Sequence, residues 1–377
     1  MASIMLQIEE NEENQNVDAS GCIMPPEKTH TPSSPFGNYV PLQTPSTVLY
    51  TSTEFRGCNV AEKGRSEVTD PEKRMVGTSV KYSTRFPTTV VSGNLHTVQT
   101  EARVKQLCKG QDATFYGHAV DDETGEEFDW SMCCDGHGTN SCIDAIRSIP
   151  PKTMNKMIAS REPVQQFAQY LLRTRSVSPG EQSGSTMCLV KCFSNRIVCI
   201  NCGDSQTTVY KNGERVHITK VHNWSNADER TRVSNMRGRF TKSNSFELVT
   251  DQHMRQSYCE YANFICGLII SCTQALGHNS ASGYEPDVVV IPYNSTDRLR
   301  VVSGSDGIWD MVIENNVDDT NALRDLSCEQ ILDRYVNRWT QEWDMEDPAT
   351  GNLERSIFGP REYDDVSVIV MDIVPIM

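Results

Sequence analysis

Hydrophobic and polar positions divide the chain into a first part without periodicity and a longer patterned part. Residues 1 to about 75 show no sustained apolar spacing, and short strand-like and helix-like patterns begin at about residue 76. A segment rich in Pro, Ser, Thr and acidic side chains buries too little apolar surface to offset the entropy of ordering it. We therefore predict a flexible or extended tail over residues 1–75, able to dock a partner, and one folded domain over residues 76–377.

Strand signals are densest in the middle of the chain and near its C-terminal end. The run Arg196–Cys202 leads through a Gly-Asp-Ser turn to a second strand that starts at Gln206, and the Asn212-Gly213 pair predicts a hairpin turn into a third. Apolar patterns over 298–302 and 366–374 predict two more strands. This succession of hairpins predicts antiparallel pairing.

Helical spacing occurs in three segments. Val164, Phe167 and Leu171 recur at intervals of three and four residues, and Ser327 with Gln330 forms a capping-box pattern before an apolar stripe. A third helix is predicted over 139–149, ending before two consecutive prolines. Strands interrupted by helices without regular alternation favour an α+β fold over a doubly wound sheet.

Charge and hydropathy exclude several functional classes. The chain has 35 Lys and Arg against 50 Asp and Glu, a formal net charge of -15. Such a protein has no general attraction to nucleic acid or to anionic membranes. No apolar run approaches the roughly 20 residues that span a bilayer, and the first residues do not resemble a signal peptide. We predict a cytoplasmic or nuclear protein with no nucleic-acid or membrane partner.

The 14 cysteines do not have the spacing of a disulfide framework, which stabilises small secreted domains. One Cys-x-x-Cys pair, Cys199 and Cys202, falls inside a strand-like run and lacks the second pair of ligands that zinc would need. We interpret both residues as reduced thiols buried on a strand.

Four aspartates beside small residues are candidate metal ligands: Asp112, Asp135, Asp306 and Asp364. We expect each of them at a strand end or turn, where a carboxylate lies next to an exposed backbone carbonyl. Hard cations such as Mg²⁺ and Mn²⁺ prefer such oxygen ligands. A single Asp-Gly pair is usually only a turn, so the interpretation depends on the whole set.

The order and context of these residues resemble the metal-dependent protein phosphatase family, type 2C. The resemblance covers about 90–373 and implies a β-sandwich of two antiparallel sheets flanked by α-helices, with a metal cleft at one end. The motifs that carry it are, in family order, Gln111-Asp112, Cys134-Asp-Gly-His-Gly138, Ser183-Gly-Ser-Thr186, Cys202-Gly-Asp-Ser205, Ser305-Asp-Gly-Ile-Trp-Asp310 and Asp364-Asp-Val-Ser-Val-Ile-Val370.

The resemblance also implies which residues would hold two ions, Mn²⁺ or Mg²⁺. Asp135 would bridge the two ions, and the backbone carbonyl of Gly136 would bind one of them. Asp306 and Asp364 would hold the other. Asp112 would act mostly through metal-bound water.

Two further roles follow from the same resemblance. Asp204, together with Asp306, would match the family's weaker third-metal site, and His137 would be the general acid. Two divalent ions lower the pKa of a bridging water, so a hydroxide is present near neutral pH to attack a phosphate monoester. An imidazolium at His137 would protonate the leaving serine or threonine oxygen. The alternative for His137 is a structural histidine that hydrogen-bonds a loop.

Departures from the family pattern concern the contacts to substrate. The family commonly has an Arg that clamps the substrate phosphate at the position of Leu107, and Lys105 or Lys109 would supply only a point charge there. The family's Ser-Arg-Ala-Leu-Gly-Asp stretch is Thr273-Gln-Ala-Leu-Gly-His278 in this chain. We expect His278 on a surface loop, and the alternative is an approach to the site.

Two hypotheses of different classes remain. The first is an active serine/threonine phosphoprotein phosphatase whose substrate is a phosphoprotein. The second is a non-catalytic phosphatase-like scaffold or phosphoprotein-binding protein, which the missing Arg at the position of Leu107 favours. The complete set of Asp135, Asp306 and Asp364 with His137 favours the first. A third, another two-metal hydrolase, is disfavoured by the order of the motifs.

Overall fold

A computed structural model describes residues 96–177, 182–313 and 316–376. The predicted tail over residues 1–75 and residues 76–95 of the predicted domain lie outside these ranges, so the proposed boundary stays a prediction.

The described ranges contain seventeen strands and seven helices. In chain order the strands are β1 (His96–Lys105), β2 (Asp112–Val120), β3 (Glu127–Gly138), β4 (Ser183–Ser185), β5 (Met187–Cys192), β6 (Arg196–Cys202), β7 (Gln206–Lys211), β8 (Glu214–Ile218), β9 (Arg239–Leu248), β10 (His253–Asn263), β11 (Ile269–Ile270), β12 (Leu276–Gly277), β13 (Asp287–Pro292), β14 (Leu299–Gly304), β15 (Glu342–Glu346), β16 (Leu353–Ile357) and β17 (Val366–Pro375). The helices are α1 (Ser141–Arg147), α2 (Pro151–Ala159), α3 (Pro163–Thr174), α4 (Ala227–Asn235), α5 (Asp306–Trp309), α6 (Val317–Asp325) and α7 (Cys328–Thr340).

Two antiparallel sheets pack face to face. The first has the strand order β1-β17-β14-β7-β8, and the second has the order β12-β4-β3-β5-β6-β13 with β2 paired to β3. Val190 and Cys199 from the second sheet meet Val301 and Ile369 from the first in one buried apolar cluster. Interdigitating side chains of this kind form the core of a β-sandwich.

Helices cover the outer faces of the sandwich. Phe167 of α3 packs with Trp130 of β3 on the outer face of the second sheet. Tyr335 of α7 packs with Val368 of β17 on the outer face of the first sheet. The structure therefore confirms the predicted α+β fold, a β-sandwich of two antiparallel sheets flanked by α-helices.

A third sheet extends beyond the sandwich and was not predicted. Its strand order is β11-β10-β15-β16, with β9 paired to β10, and the β10–β15 pair is parallel. Most side chains of β9 are exposed or only partly buried. A strand with so little burial has no clean alternation of apolar and polar positions, and it gives only a weak sequence signal.

Several local predictions match the structure, and one helix is shorter than predicted. Asn212 and Gly213 adopt φ angles of 54° and 87° in the hairpin turn, and Ser327 forms the predicted capping box. The helix predicted over 139–149 is limited to α1. Pro150 is the N-cap of α2 and Pro151 is its first residue, because the fixed φ of proline suits the first turn of a helix.

Cys199 and Cys202 are free, buried thiols on β6, as the pattern indicated. Burial raises the pKa of both thiols, which keeps them protonated at neutral pH. Among the helices in the described ranges, none is both long and apolar enough to cross a membrane.

Candidate metal centre

Five aspartates from separate segments gather at one end of the sandwich. Asp112 opens β2 and lies opposite Asp135 of β3 in the register of that pair. Asp204 lies in the turn between β6 and β7, and Asp306 begins α5 one residue after Ser305. Asp364 lies two residues before β17. The antiparallel pairing of the sandwich thus brings strand starts and strand ends together at this edge.

Asp135 is placed differently from the sequence prediction. It lies inside β3 and not at a strand end, because β3 continues through the Asp-Gly-His-Gly motif. At this point β3 changes its partner from β5 to β4, where Gly136 pairs with Ser185. An added Cβ at Gly136 would lie 2.9 Å from the backbone oxygen of Gln111, so only glycine fits.

Asp135, Asp204 and Asp306 form the tightest group of possible metal ligands. One carboxylate oxygen from each lies within 4.8 Å of the other two. Burial first, and then the charge of Asp306, raise the pKa of both Asp135 and Asp204. The sequence analysis assigned Asp204 only to a weaker third-metal site, whereas the structure brings it into this group.

The chemistry of the group fits a hard divalent cation. The Oδ1 atom of Asp306 and the Oδ1 atom of Asp112 are buried and accept no hydrogen bond in the described residues. Buried carboxylate oxygens without a partner are costly, and several like charges at short distance repel one another. A cation with oxygen preference, such as Mg²⁺ or Mn²⁺, removes both penalties.

Asp364 belongs to the same electrostatic cluster but is paired with a lysine. The Nζ atom of Lys109 donates to Oδ1 of Asp364 at 2.9 Å. Burial first, and then the charge of Asp306, raise the pKa of Asp364 to about 6. Burial opposes the charge on Lys109, but Asp364 and then Asp306 outweigh this effect and raise its pKa. The ammonium therefore stays charged and points into the cluster.

The other candidate lysine is placed differently. Lys105 ends β1 opposite Val366 of β17, and it forms no ion pair with a carboxylate of the described residues. Of the two lysines considered for the substrate phosphate, only Lys109 therefore extends to the cluster.

Asp112 is fully buried behind the tight group. The hydroxyl of Ser305 donates to its Oδ2 at 2.6 Å. Burial, followed by the charge of Asp365, raises its pKa well above the ordinary value for an aspartate. Its Oδ1 is buried and has no partner among the described residues, and the role through metal-bound water that the resemblance implies stays a prediction.

Asp365 was missed by the sequence analysis and fixes the loop that carries Lys109. Its Oδ1 accepts the backbone N–H groups of residues 107–109 at 2.8, 3.0 and 3.2 Å, and its Oδ2 accepts that of Gln111 at 2.8 Å. A carboxylate that accepts four backbone hydrogen bonds holds its loop firmly. The signal was present in the sequence as a second Asp directly after Asp364.

His137 faces a second imidazole. Its Nε2 atom lies 2.7 Å from Nε2 of His278, and the Sγ atom of Cys272 lies 3.8 Å from the same nitrogen. His278 is only 4% exposed, so the expectation of a surface loop was wrong. A hydrogen bond between two imidazole nitrogens needs one donor and one acceptor, so a single proton lies between them.

Backbone geometry explains how His278 reaches this position. Gly277, His278 and Asn279 have φ angles of 80°, 47° and 50°, which turn the chain back toward β4. Gly184 of β4 leaves the necessary space. An added Cβ there would lie 2.2 Å from Nε2 of His278 and 2.6 Å from Nε2 of His137.

The histidine pair is electrostatically unfavourable for an imidazolium. Burial first, and then repulsion by His278, lower the pKa of His137 to about 3. Burial lowers the pKa of His278 to about 4. Both rings are therefore neutral at pH 7 in this arrangement, in contrast to the protonated His137 that the sequence analysis expected.

The fold and this oxygen-rich cluster are those of a metal-dependent phosphatase domain, and comparison with family models gives the same answer. The model described as Protein phosphatase 2C matches residues 104–320, which is more than half of the chain. The chain belongs to the protein phosphatase 2C family, a family of metal-dependent protein phosphatases.

Individual relatives are distant. The chain is 24% identical over 295 residues to the rice (Oryza sativa subsp. japonica) probable protein phosphatase 2C 27, a match that covers 67% of this chain and 76% of that protein. It is 24% identical over 242 residues to the rice probable protein phosphatase 2C 8, covering 56% of this chain and 55% of that protein. The solved catalytic domain of the serine threonine protein phosphatase PstP, in complex with two manganese ions, is 17% identical with a TM-score of 0.41 and coverages of 74% and 99%.

Proposed function

We propose that this chain is an active metal-dependent serine/threonine phosphoprotein phosphatase that hydrolyses phosphate monoesters of a phosphoprotein substrate. The observation that carries the proposal is the group of Asp135, Asp204 and Asp306, from each of which one carboxylate oxygen lies within 4.8 Å of the other two. The Oδ1 atom of Asp306 is buried and accepts no hydrogen bond in the described residues. Family membership supports the same reaction class.

In this proposal the carboxylates hold two ions, Mn²⁺ or Mg²⁺. Asp135 and the backbone carbonyl of Gly136 would hold one ion, and Asp306 and Asp364, together with Asp135, would hold the other. When bound, the ions supply Lewis acidity and lower the pKa of water so that a nucleophile is available near neutral pH. Asp112 would act through water bound to the ions, and Asp204 would be a further ligand.

Lys109 and His137 are the residues proposed to contact the substrate. Lys109 supplies the positive charge for the substrate phosphate, since Leu107 cannot. His137 delivers a proton to the leaving oxygen from its imidazolium form and returns to the neutral imidazole. One proton lies between its Nε2 atom and Nε2 of His278, so the leaving oxygen has to replace His278 at that nitrogen.

A second candidate function is a non-catalytic phosphoprotein-binding protein or scaffold. The neutral His137–His278 pair favours it, because a general acid must carry a proton that it can give away. Leu107 favours it as well, because no guanidinium fork grips the phosphate at this position.

Phosphate release from a phosphothreonine peptide tests the proposal. We expect release by the wild type with excess Mn²⁺, none in EDTA, and a loss of at least about 100-fold in Asp306→Asn, since an amide cannot balance the charge of a divalent ion. The matched control is Asp333→Asn, an exposed aspartate on α7, which should keep the wild-type rate. If the wild type binds the peptide in Mn²⁺ but releases no phosphate above the Asp306→Asn background, the scaffold function stands.

A further inference from the structure

A cavity of about 640 Å³ lies beside the carboxylate cluster. One wall consists of Gln206, Arg215 and Ile218 on β7 and β8, and the opposite wall includes Trp309 of α5 and Leu323 of α6. Residues from the loop that follows β8, over 219–226, line a further side. The cavity opens to solvent and is outside the cluster of metal-binding candidates.

The cavity exists because α6 covers only the inner strands of the first sheet. The hydroxyl of Tyr210 on β7 donates to the backbone oxygen of Thr320, and Arg300 on β14 donates to that of Leu323. β8 lies at the edge of the sheet beyond these contacts. Ile218 on this strand remains 41% exposed, and Val221 and Val312 in the lining are only partly buried. The site therefore offers apolar surface that no part of the described chain covers.

The charges around this apolar surface have one sign. Arg215 and Lys220 line the cavity, and no Asp or Glu is among the described lining residues, in a chain with a formal net charge of -15. No carboxylate of the described ranges forms an ion pair with Arg215. Lys220 lies 3.7 Å from Asp228, but both side chains are largely exposed, so the pair contributes little. A ligand with an apolar group and a negative charge complements this lining.

The cavity adjoins the cluster along two elements. Gln206 follows Asp204 by two residues, and Trp309 follows Asp306 by three. At about 3.3 Å per strand residue and about 1.5 Å per helix residue, both walls begin within roughly 10 Å of the aspartates. An extended peptide covers that distance in about three residues.

We propose that this cavity binds the part of a phosphoprotein substrate that flanks the phosphorylated residue, and that it selects an apolar residue next to an acidic one. The inference rests on the proposed function, since it takes the phosphorylated side chain to lie at the aspartate cluster. Ile218, Val221 and Val312 contact the apolar side chain, and Arg215 with Lys220 pairs with the acidic one.

Peptide binding without turnover tests the inference. The probes are fluorescein-labelled peptides of about ten residues that carry a hydrolysis-resistant phosphonate analogue of phosphothreonine. One set has Leu and two Glu residues two to four positions before or after the analogue, and the matched set has Ser at these positions. Fluorescence anisotropy in Mn²⁺ should give about tenfold tighter binding of one Leu–Glu peptide, the gain expected from about 1.4 kcal/mol.

Three variants separate the contributions of the charged and the apolar lining residues to the peptide preference. Arg215→Glu should abolish the preference for the Leu–Glu peptide, because it puts a like charge against the glutamates. Ile218→Ser should weaken the preference for Leu and leave that for Glu. Both side chains are exposed, so neither change creates a core cavity. Lys152→Glu, the same charge reversal on an exposed residue of α2, should retain the wild-type preference.

The outcomes distinguish this inference from the proposed function. If Arg215→Glu and wild type prefer the Leu–Glu peptide equally, or if the wild type has no preference, the inference is overturned. Hydrolysis of p-nitrophenyl phosphate by the wild type reports on the metal site alone, because this substrate has no flanking residues. If it is not hydrolysed while the peptide preference depends on Arg215, the inference is supported and the catalytic proposal fails.

Discussion

The two sides of the cleft differ in how closely they follow the family pattern. On the carboxylate side, Asp135, Asp204 and Asp306 gather within 4.8 Å, with Asp364 in the same electrostatic cluster. On the side that would contact the phosphate and the leaving group, the clamping Arg is absent, and an imidazole at His278 stands where the family has a carboxylate. We therefore expect metal binding and proton transfer to respond to different substitutions.

The largest expected effect on the altered side is that of His137→Gln. We expect about 100-fold slower hydrolysis of a phosphoserine peptide, the lower end for loss of a general acid, because His278 already disfavours the imidazolium. Hydrolysis of p-nitrophenyl phosphate should change much less, since its leaving group needs no proton. The test measures the rates of hydrolysis of both substrates by the wild type and the variant. Calorimetry of Mn²⁺ binding checks that the cluster is intact. An equal loss on both substrates would make His137 a structural residue.

His278→Asp should raise the rate of hydrolysis of a phosphoserine peptide about tenfold. A carboxylate beside His137 favours the imidazolium, and raising its pKa by one unit raises the protonated fraction about tenfold at pH 7. In the wild type, where the pKa of His137 is lowered to about 3, this fraction rises as the pH falls from 8 to 6. The rate on a phosphoserine peptide should therefore rise toward pH 6, and His278→Asp should raise it about tenfold at each pH in this range without changing the slope.

The control for that variant is His278→Asn, which has the same shape as Asp but no charge. It removes the repulsive imidazole without adding a carboxylate, so its gain should be smaller than that of His278→Asp. If His278→Asn and His278→Asp hydrolyse the peptide at the same rate between pH 6 and 8, the charge of residue 278 does not set the protonation of His137.

Lys109→Gln should have the smallest effect and tests the carboxylate side. Removing the ammonium that pairs with Asp364 at 2.9 Å frees this carboxylate and reduces the repulsion of a divalent ion. The side chain of Lys109 is 45% exposed, so we expect about 1 kcal/mol, or about fivefold tighter Mn²⁺ binding by calorimetry. Lys105→Gln is the matched control and should leave Mn²⁺ affinity unchanged. Weaker Mn²⁺ binding by Lys109→Gln would mean that the lysine organises the site.

The antiparallel strands and the α+β class could be predicted because local signals carried them, whereas the β-sandwich and the grouping of the aspartates followed from the resemblance to the family. The Asn-Gly hairpin, the capping box at Ser327 and the Asp-Gly pairs are each defined by residues that lie within a few positions of one another. His278 could not be placed, because its approach depends on consecutive positive φ angles and on the missing Cβ of Gly184, 94 residues earlier in the chain. The third sheet also escaped prediction, since the largely exposed strand β9 lacks an apolar face.

The claim that the aspartate cluster binds divalent ions is tested most directly by calorimetric titration of the purified full chain with Mn²⁺. We predict binding of about two ions per chain, the number of a two-metal hydrolytic site. Asp306→Asn should lose at least one of them, and the exposed control Asp333→Asn should retain both. Absence of Mn²⁺ binding by the wild type, or the same stoichiometry and affinity in Asp306→Asn, would contradict the account.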